Sequence, residues 1–319
     1  MNDFLLSYDT VTLYPRHSSL PSRDKGNTSL IFCGHKFKLP VVPANMMDVI
    51  SIRNAEWLSD NGYFYIYHRF GEGEEHTLNF IKNYQSLDII SISIGVNQES
   101  INIVDAIKGK KWRVDFITID VAHADHENVK RIIAHIKNVL PYTKLIVGNV
   151  ATTDGVIYLC DLGVDAVKIG IGGGSICTTR YMTGFHIPTL QSVNYANLAM
   201  LERDIDVPII ADGGANHYGD VAKAIRFGAT IVMNGGWFAS CIDSPAKIVD
   251  GKKLYRGSTS YEMKGHHNHI EGRQLELLEG ITYEQRMAEI KEAIQSSISY
   301  AGGEDLSAFE TLEYGRILP

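Results

Sequence analysis

The sequence predicts an α/β protein: a closed TIM-type (β/α)8 barrel with an N-terminal hairpin, a C-terminal flap and a terminal helix. Three observations predict it. Eight short Val/Ile-rich runs alternate with segments whose apolar residues recur at helical spacing, the pattern of strands buried on both faces. Eight such units are the count that closes a barrel. Finally, Asn45, His68, Gly95, Asp120, Asn149, Gly170, Asp212 and Gly235 each stand just past the C-terminal end of a run. In a barrel these positions form one face, the face that carries chemistry. A doubly wound open sheet fits the alternation but gives that ring of residues no common face.

The runs are 38–44 (KLPVVPA), 63–67 (YFYIY), 89–94 (IISISI), 115–119 (DFITI), 144–147 (KLIV), 165–169 (DAVKI), 207–211 (VPIIA) and 229–233 (ATIVM). Helical spacing is clearest in 128–140 (NVKRIIAHIKNVL) and in 217–227, which stops at Gly228. Three segments lie outside the alternation. Residues 30–37 read as a hairpin turning at Gly34-His35 and plugging the barrel bottom. Residues 252–280, rich in Gly, His and Ser, read as a loop or flap. Residues 282–300 read as a helix capped by Thr282 and stopped at Gly302-Gly303. No linker or low-complexity tract interrupts the 319 residues, so a single domain over 1–319 is expected.

Composition narrows the function classes. Thirty basic and 37 acidic residues give a net charge of −7 with no run of one sign, which argues against a nucleic-acid or membrane-binding surface. No apolar run approaches the ~18 residues of a membrane span. The start, MNDFLLSYDTVTLYP, lacks the basic and apolar regions of a signal peptide. The four cysteines (Cys33, Cys160, Cys177, Cys241) form no CxxC pair and no zinc spacing. A cytoplasmic, thiol-reduced enzyme or binding protein is expected.

Three segments carry chemistry. In KIGIGGGSICTTR (168–180), Gly170, Gly172, Gly173 and Gly174 precede Ser175, Cys177, Thr179 and Arg180. Glycines let the backbone approach a ligand closely. A thiol beyond such a loop and near an arginine is a candidate nucleophile; the competing reading is a loop with an incidental cysteine. The second segment is a pair of glycine turns after the last two strands, Asp212-Gly213-Gly214 and Asn234-Gly235-Gly236-Trp237, where barrel enzymes place phosphates. Asp212 is suited to ribose hydroxyls. The third, 255–273, offers Gly257, Ser258, Thr259 and Ser260 as hydrogen-bonding groups and Glu271 as a proton-transfer carboxylate if the flap folds over the site. By spacing alone Glu271 reads more readily as a solvated loop charge. His266, His267 and His269 complete no zinc ligand set. Asp120, Ala122, His123 and Asn149 either line a cofactor cleft or cap strand ends. His68-Arg69 is either a base contact or a surface pair.

Together these segments resemble the IMP dehydrogenase/GMP reductase family over nearly the whole chain. PVVPANM (40–46, including Asn45 and Met46), YFYIYHRF, ITIDVAH, GNVAT, VKIGIGGGSICTTR, PIIADGG, IRFGAT, EGR (271–273) and SSISYAGG all match it. The resemblance is strongest to the reductase branch. It implies a TIM-barrel enzyme, typically a homotetramer, that converts GMP and NADPH to IMP, ammonia and NADP+. Cys177 matches the nucleophile that forms a covalent thioimidate, and Thr179 and Glu271 match the pair that protonates the departing amine. Asp212 matches the ribose ligand and the turns at Gly213-Gly214 and Gly235-Gly236 the phosphate cradle. Gly172, Gly174 and Cys177 match carbonyls of a monovalent-cation (K+) site.

The dehydrogenase branch is the rival reading. Against it, residues 71–88 leave room for one helix rather than a CBS insertion, and the short flap from Met263 to Glu271 has no Arg-Tyr pair. The chain departs from the family pattern at Gly173, where Pro is usual and whose replacement is expected to loosen the loop. It also departs at HIPTLQSV (186–193), at Asn234 and Trp237, and in its short flap. These departures leave two further readings open: a divergent relative acting on another base, and a non-catalytic barrel that senses purine nucleotides.

Overall fold

The computed structural model describes residues 4–71, 73–264 and 268–317. Among them the strands in chain order are β1 (Val11–Leu13), β2 (Leu30–Phe32), β3 (His35–Phe37), β4 (Val41–Pro43), β5 (Ser91–Ile94), β6 (Phe116–Asp120) and β7 (Lys144–Val150). They continue with β8 (Ala166–Ile169), β9 (Ile209–Asp212), β10 (Ile231–Asn234), β11 (Ile248–Val249), β12 (Lys252–Arg256), β13 (Gln274–Leu278) and β14 (Tyr314–Arg316). The helices are α1 (Ile52–Asp60), α2 (Gly73–Asn83), α3 (Gln98–Lys110), α4 (Glu127–Val139), α5 (Thr153–Asp161) and α6 (Thr179–Thr183). After them come α7 (Thr189–Glu202), α8 (Asp220–Arg226), α9 (Gly236–Ala239), α10 (Tyr261–Lys264) and α11 (Tyr283–Ala301).

Seven parallel strands pair in the order β4-β10-β9-β8-β7-β6-β5, the curled sheet of a TIM-type barrel. Within this sheet the earliest strand in the chain, β4, pairs in parallel with the latest, β10, which wraps the sheet around its axis. The second predicted run, 63–67, fills the gap between β4 and β5 but is not a regular strand. Its ladder is reduced to one bridge, Tyr67 with Ile92. The Tyr65 hydroxyl takes over part of the pairing, donating to the Ile89 carbonyl at 2.7 Å and accepting from the Ser91 N–H at 3.4 Å. The other seven runs became strands, most starting one to three residues later than read because the early residues belong to the preceding turn.

Helix starts are capped by side chains, as their sequences demand: Ser51 with Asn54, Asn97 on Ser100, Thr152 on Gly155, and Thr282 with Gln285. Gly302, at φ +79°, ends α11 as expected. The N-terminal hairpin turns one residue earlier than read. Phe32 pairs with His35, so Cys33 (φ 48°) and Gly34 (φ 87°) form the two-residue turn, the geometry that matches strand twist. Its fully buried Phe32 and Phe37 rings each lie 5.1 Å from that of Phe64, which meets Phe116 at 5.1 Å. Phe116 opens β6, so this aromatic plug seals the barrel bottom. The flap read as loop contains β12 and β13 paired antiparallel, with β11 on its edge.

Candidate active site

At the opposite end of the strands, the glycine loop leaves β8 and nests against the end of β9 and the start of α7. A Cβ on Gly170 (φ +147°) would run into the Asp212 carbonyl oxygen, and one on Gly213 (φ +85°) would stand 2.9 Å from the Gly174 nitrogen. Glycine is therefore required on both sides of this contact. Gly173 has its own reason: the space a Cβ would fill is held by the Thr189 hydroxyl, 2.5 Å away. The loop carbonyls are tied down as well. Cys177 N–H donates to Gly174 O at 3.0 Å, a His186 ring nitrogen meets Ile171 O at 2.9 Å, and Arg273 donates from Nε (3.0 Å) and Nη2 (2.7 Å) to Ser175 O.

Cys177 is half-buried. Its Sγ lies 3.2 Å from Thr179 Oγ1, which donates to Glu271 Oε2 at 2.6 Å. Glu271 reaches the thiol because the returning flap strand pairs with the loop. Cys177 and Gly272 form an antiparallel bridge, Thr178 N–H donates to Glu271 O (2.8 Å) and Arg273 N–H to Ile176 O (2.9 Å). Gly257 and Gly272 permit this approach, since a Cβ on Gly272 would stand 2.9 Å from the Ser260 nitrogen and 3.1 Å from Gly257 Cα. Glu271 is thus not a solvated loop charge. Arg180 is not the thiol's neighbour; its guanidinium lies over the Tyr181 ring, 4.4 Å from the centroid. A thiol, a hydroxyl and a carboxylate in series can pass a proton from sulfur to carboxylate and on to a leaving group.

Two cavities, about 300 and 220 Å³, meet at this relay and share Met46, Asn149, Cys177, Asp212 and Glu271 in their walls. The first is walled by Ser175, Gly213-Gly214, Gly235-Gly236, Trp237, Tyr255, Gly257 and Ser258. Asn234 shapes its floor: its Oδ1 accepts the Trp237 N–H (2.8 Å) and its Nδ2 donates to Ala215 O (2.7 Å). The second is walled by Asn45, Arg69, Phe70, Asp120, Ala122 and Thr179. Of the residues read from sequence, exposed His123 and buried Ser260 line neither cavity. His68 is buried and stacked on His76 at 5.0 Å, while Arg69 faces the second cavity. His266 and His267 lie outside the described residues. Among those described, no cluster of three His, Cys, Asp or Glu side chains is placed to hold a metal.

Sequence reasoning missed Lys168, although a lysine inside an apolar strand is itself a signal, because a buried ammonium must be paired. Its Nζ, on a 3 % exposed side chain, lies 2.9 Å from Asp120 and 2.7 Å from Asp212. Burial works against this charge, but the two carboxylates outweigh it and hold the ammonium above the ordinary lysine range. For Asp120, burial opposes ionisation and the charges of Lys168 and Arg69 overcome it, leaving its carboxyl below the ordinary value. Asn149 adds a donor to Asp212 at 2.9 Å and to Gly170 O at 2.6 Å. Burial and the nearby Asp212 and Asp48 keep the Tyr255 phenol protonated at the cavity wall.

Residues 5–312 match the model of the IMP dehydrogenase / GMP reductase domain. The chain is 41 % identical over 317 residues to a protein of Staphylococcus epidermidis (strain RP62A) named GMP reductase, covering 97 % of this chain and 95 % of that one. A Staphylococcus aureus (strain JH9) protein of the same name is 41 % identical over 315 residues, with the same coverage.

Proposed function

The chain belongs to the IMP dehydrogenase / GMP reductase family, and from that membership we propose that it is a GMP reductase, an NADPH-dependent oxidoreductase releasing IMP and ammonia. The observation that carries this reading is the Cys177–Thr179–Glu271 relay between the two cavities. GMP fits the first cavity, its phosphate at Gly213-Gly214 and Gly235-Gly236, its ribose at Asp212 and its base over Cys177. The nicotinamide dinucleotide fits the second, beside Asp120, Ala122 and Asn149.

Cys177 Sγ adds to C2 of the purine as its proton passes through Thr179 to Glu271. The relay then returns a proton to the 2-amino nitrogen, the C2–N bond breaks, and ammonia leaves C2 bound to sulfur as a thioimidate. The amine is a poor leaving group unless protonated, so the acid must sit beside the thiol. The reduced nicotinamide, when bound, supplies a hydride. With C2 reduced, the C2–S bond breaks, its electron pair returns to Cys177, and IMP is free to leave.

A K+ ion on the carbonyls of Gly172, Gly174 and Cys177 belongs to the same reading; the Gly174 carbonyl already accepts the Cys177 N–H and keeps one lone pair for it. Exposed Tyr181, Met182 and Phe185, with Tyr195, Leu198 and Leu201 along α7, support assembly with further copies into a homotetramer. Among the described residues no helix is long and apolar enough to cross a membrane; a cytoplasmic location suits a purine nucleotide substrate.

The test mixes protein with GMP and NADPH, in K+ or Na+ buffer, and follows nicotinamide absorbance, with IMP plus NAD+ in parallel. GMP-dependent loss of NADPH is the expected result. Formation of NADH from IMP would make the protein a dehydrogenase, and silence in both would favour a different base or a non-catalytic nucleotide binder.

A further inference from the structure

Lys168 lies at the floor of the second cavity, almost wholly covered. Its side chain is 3 % exposed, whereas the Asp120 and Asp212 side chains that flank its Nζ are 19 % and 23 % exposed and reach the cavities. Its neighbour across the β7–β8 pairing is Gly148, where a Cβ would stand 2.5 Å from that of Lys168. Asn149, beside it, fixes Asp212 from a second direction at 2.9 Å. Two carboxylates from different strands, Asp120 on the second cavity and Asp212 on the wall common to both, therefore share one cation.

We propose that Lys168 is a positioning residue that binds Asp120 and Asp212 into one unit, so that the ribose end of the nucleotide site and the nicotinamide site are energetically linked. The inference rests on the assignment of the two cavities made above. Without the ammonium, two carboxylates face each other in a partly buried space. Their mutual repulsion, no longer offset by the ammonium, then drives the two side chains out of the positions it holds. Asp120 would still face Arg69, whereas Asp212 would face Asn149 and the phenols of Tyr8 and Tyr255. Asp212 would then lose the closer of the Lys168 and Asn149 donors that fix its carboxylate, and its oxygens would no longer be held in place for the ribose hydroxyls.

The experiment measures GMP binding and NADP+ binding separately, a combination that cannot turn over, for the wild type, Lys168→Met, Lys168→Arg and Asp120→Asn. Lys168→Met should weaken both ligands by roughly 10-fold or more. Lys168→Arg should restore most of both. Asp120→Asn, in the second cavity, should change GMP affinity in the first by at least about 5-fold with no NADP+ present. A folded Lys168→Met that binds either ligand as the wild type does would overturn the proposal. If that variant does not fold, Asp120→Asn decides, and unchanged GMP affinity there overturns it. Wild-type protein that binds no GMP would instead overturn the cavity assignment.

Discussion

The two ends of the barrel solve opposite problems. At the bottom, the buried rings of Phe32, Phe37, Phe64 and Phe116 close the strands in stacked and tilted contacts, with ion pairs such as Lys144–Asp165 only part-buried around them. At the top, Lys168, Asp120, Asp212, Glu271 and a run of glycines leave two cavities around one thiol. Burial of each large apolar ring contributes a few kcal/mol to folding, so the bottom supplies stability. The top carries buried charge and glycine-rich backbone, which contribute little stability but place reacting groups. Chemistry and stability are separated along the strand direction.

That contrast can be broken from either end, and the largest effect should come from the top. Cys177→Ala should lower kcat at least ~10³-fold, since no other group near C2 can form the adduct, while the melting temperature stays within a few degrees. Next, at the bottom, Phe116→Ala should cost about 3–5 kcal/mol of stability through the cavity it leaves, seen in urea denaturation, with kcat of the folded fraction close to wild type. Glu271→Gln should slow ammonia release about 10²-fold or more, read as kcat with little change in GMP affinity. Arg273→Ala releases one loop carbonyl and should lower kcat by roughly 10-fold (about 1.4 kcal/mol), and added guanidinium should restore part of it. A large loss of stability in Cys177→Ala, or of kcat in folded Phe116→Ala, would mean that the two ends are not separate.

How much of this was visible in the sequence follows the same division. The barrel strands were readable because runs such as IISISI and ATIVM are buried on both faces, and burial on both faces leaves a continuous apolar string. The 63–67 run was apolar for the same reason, yet its pairing is taken over in part by the Tyr65 hydroxyl, which no string of apolar letters reveals. β12 and β13 were hidden because charged residues interrupt their short apolar alternation, and one of them, Lys253, is itself buried. At the top, Cys177, Thr179 and the glycine turns were readable because they cluster locally. Glu271 was ambiguous because its partner Thr179 is 92 residues away in the chain. Lys168 was overlooked because the two aspartates that justify its burial come from two other strands. The apparent partnership of Arg180 with Cys177 failed because α6 turns that side chain onto Tyr181.

The central claim, that Cys177 carries the purine during turnover, is tested most directly by rapid acid quench. Protein, GMP labelled at C2 and NADPH are mixed, quenched within a turnover, and digested for mass spectrometry. The account predicts a purine nucleotide, less its amino group, attached to the peptide containing Cys177 and absent from Cys177→Ala. Steady conversion of GMP to IMP with no such adduct, and with Cys177→Ala still active, would contradict it.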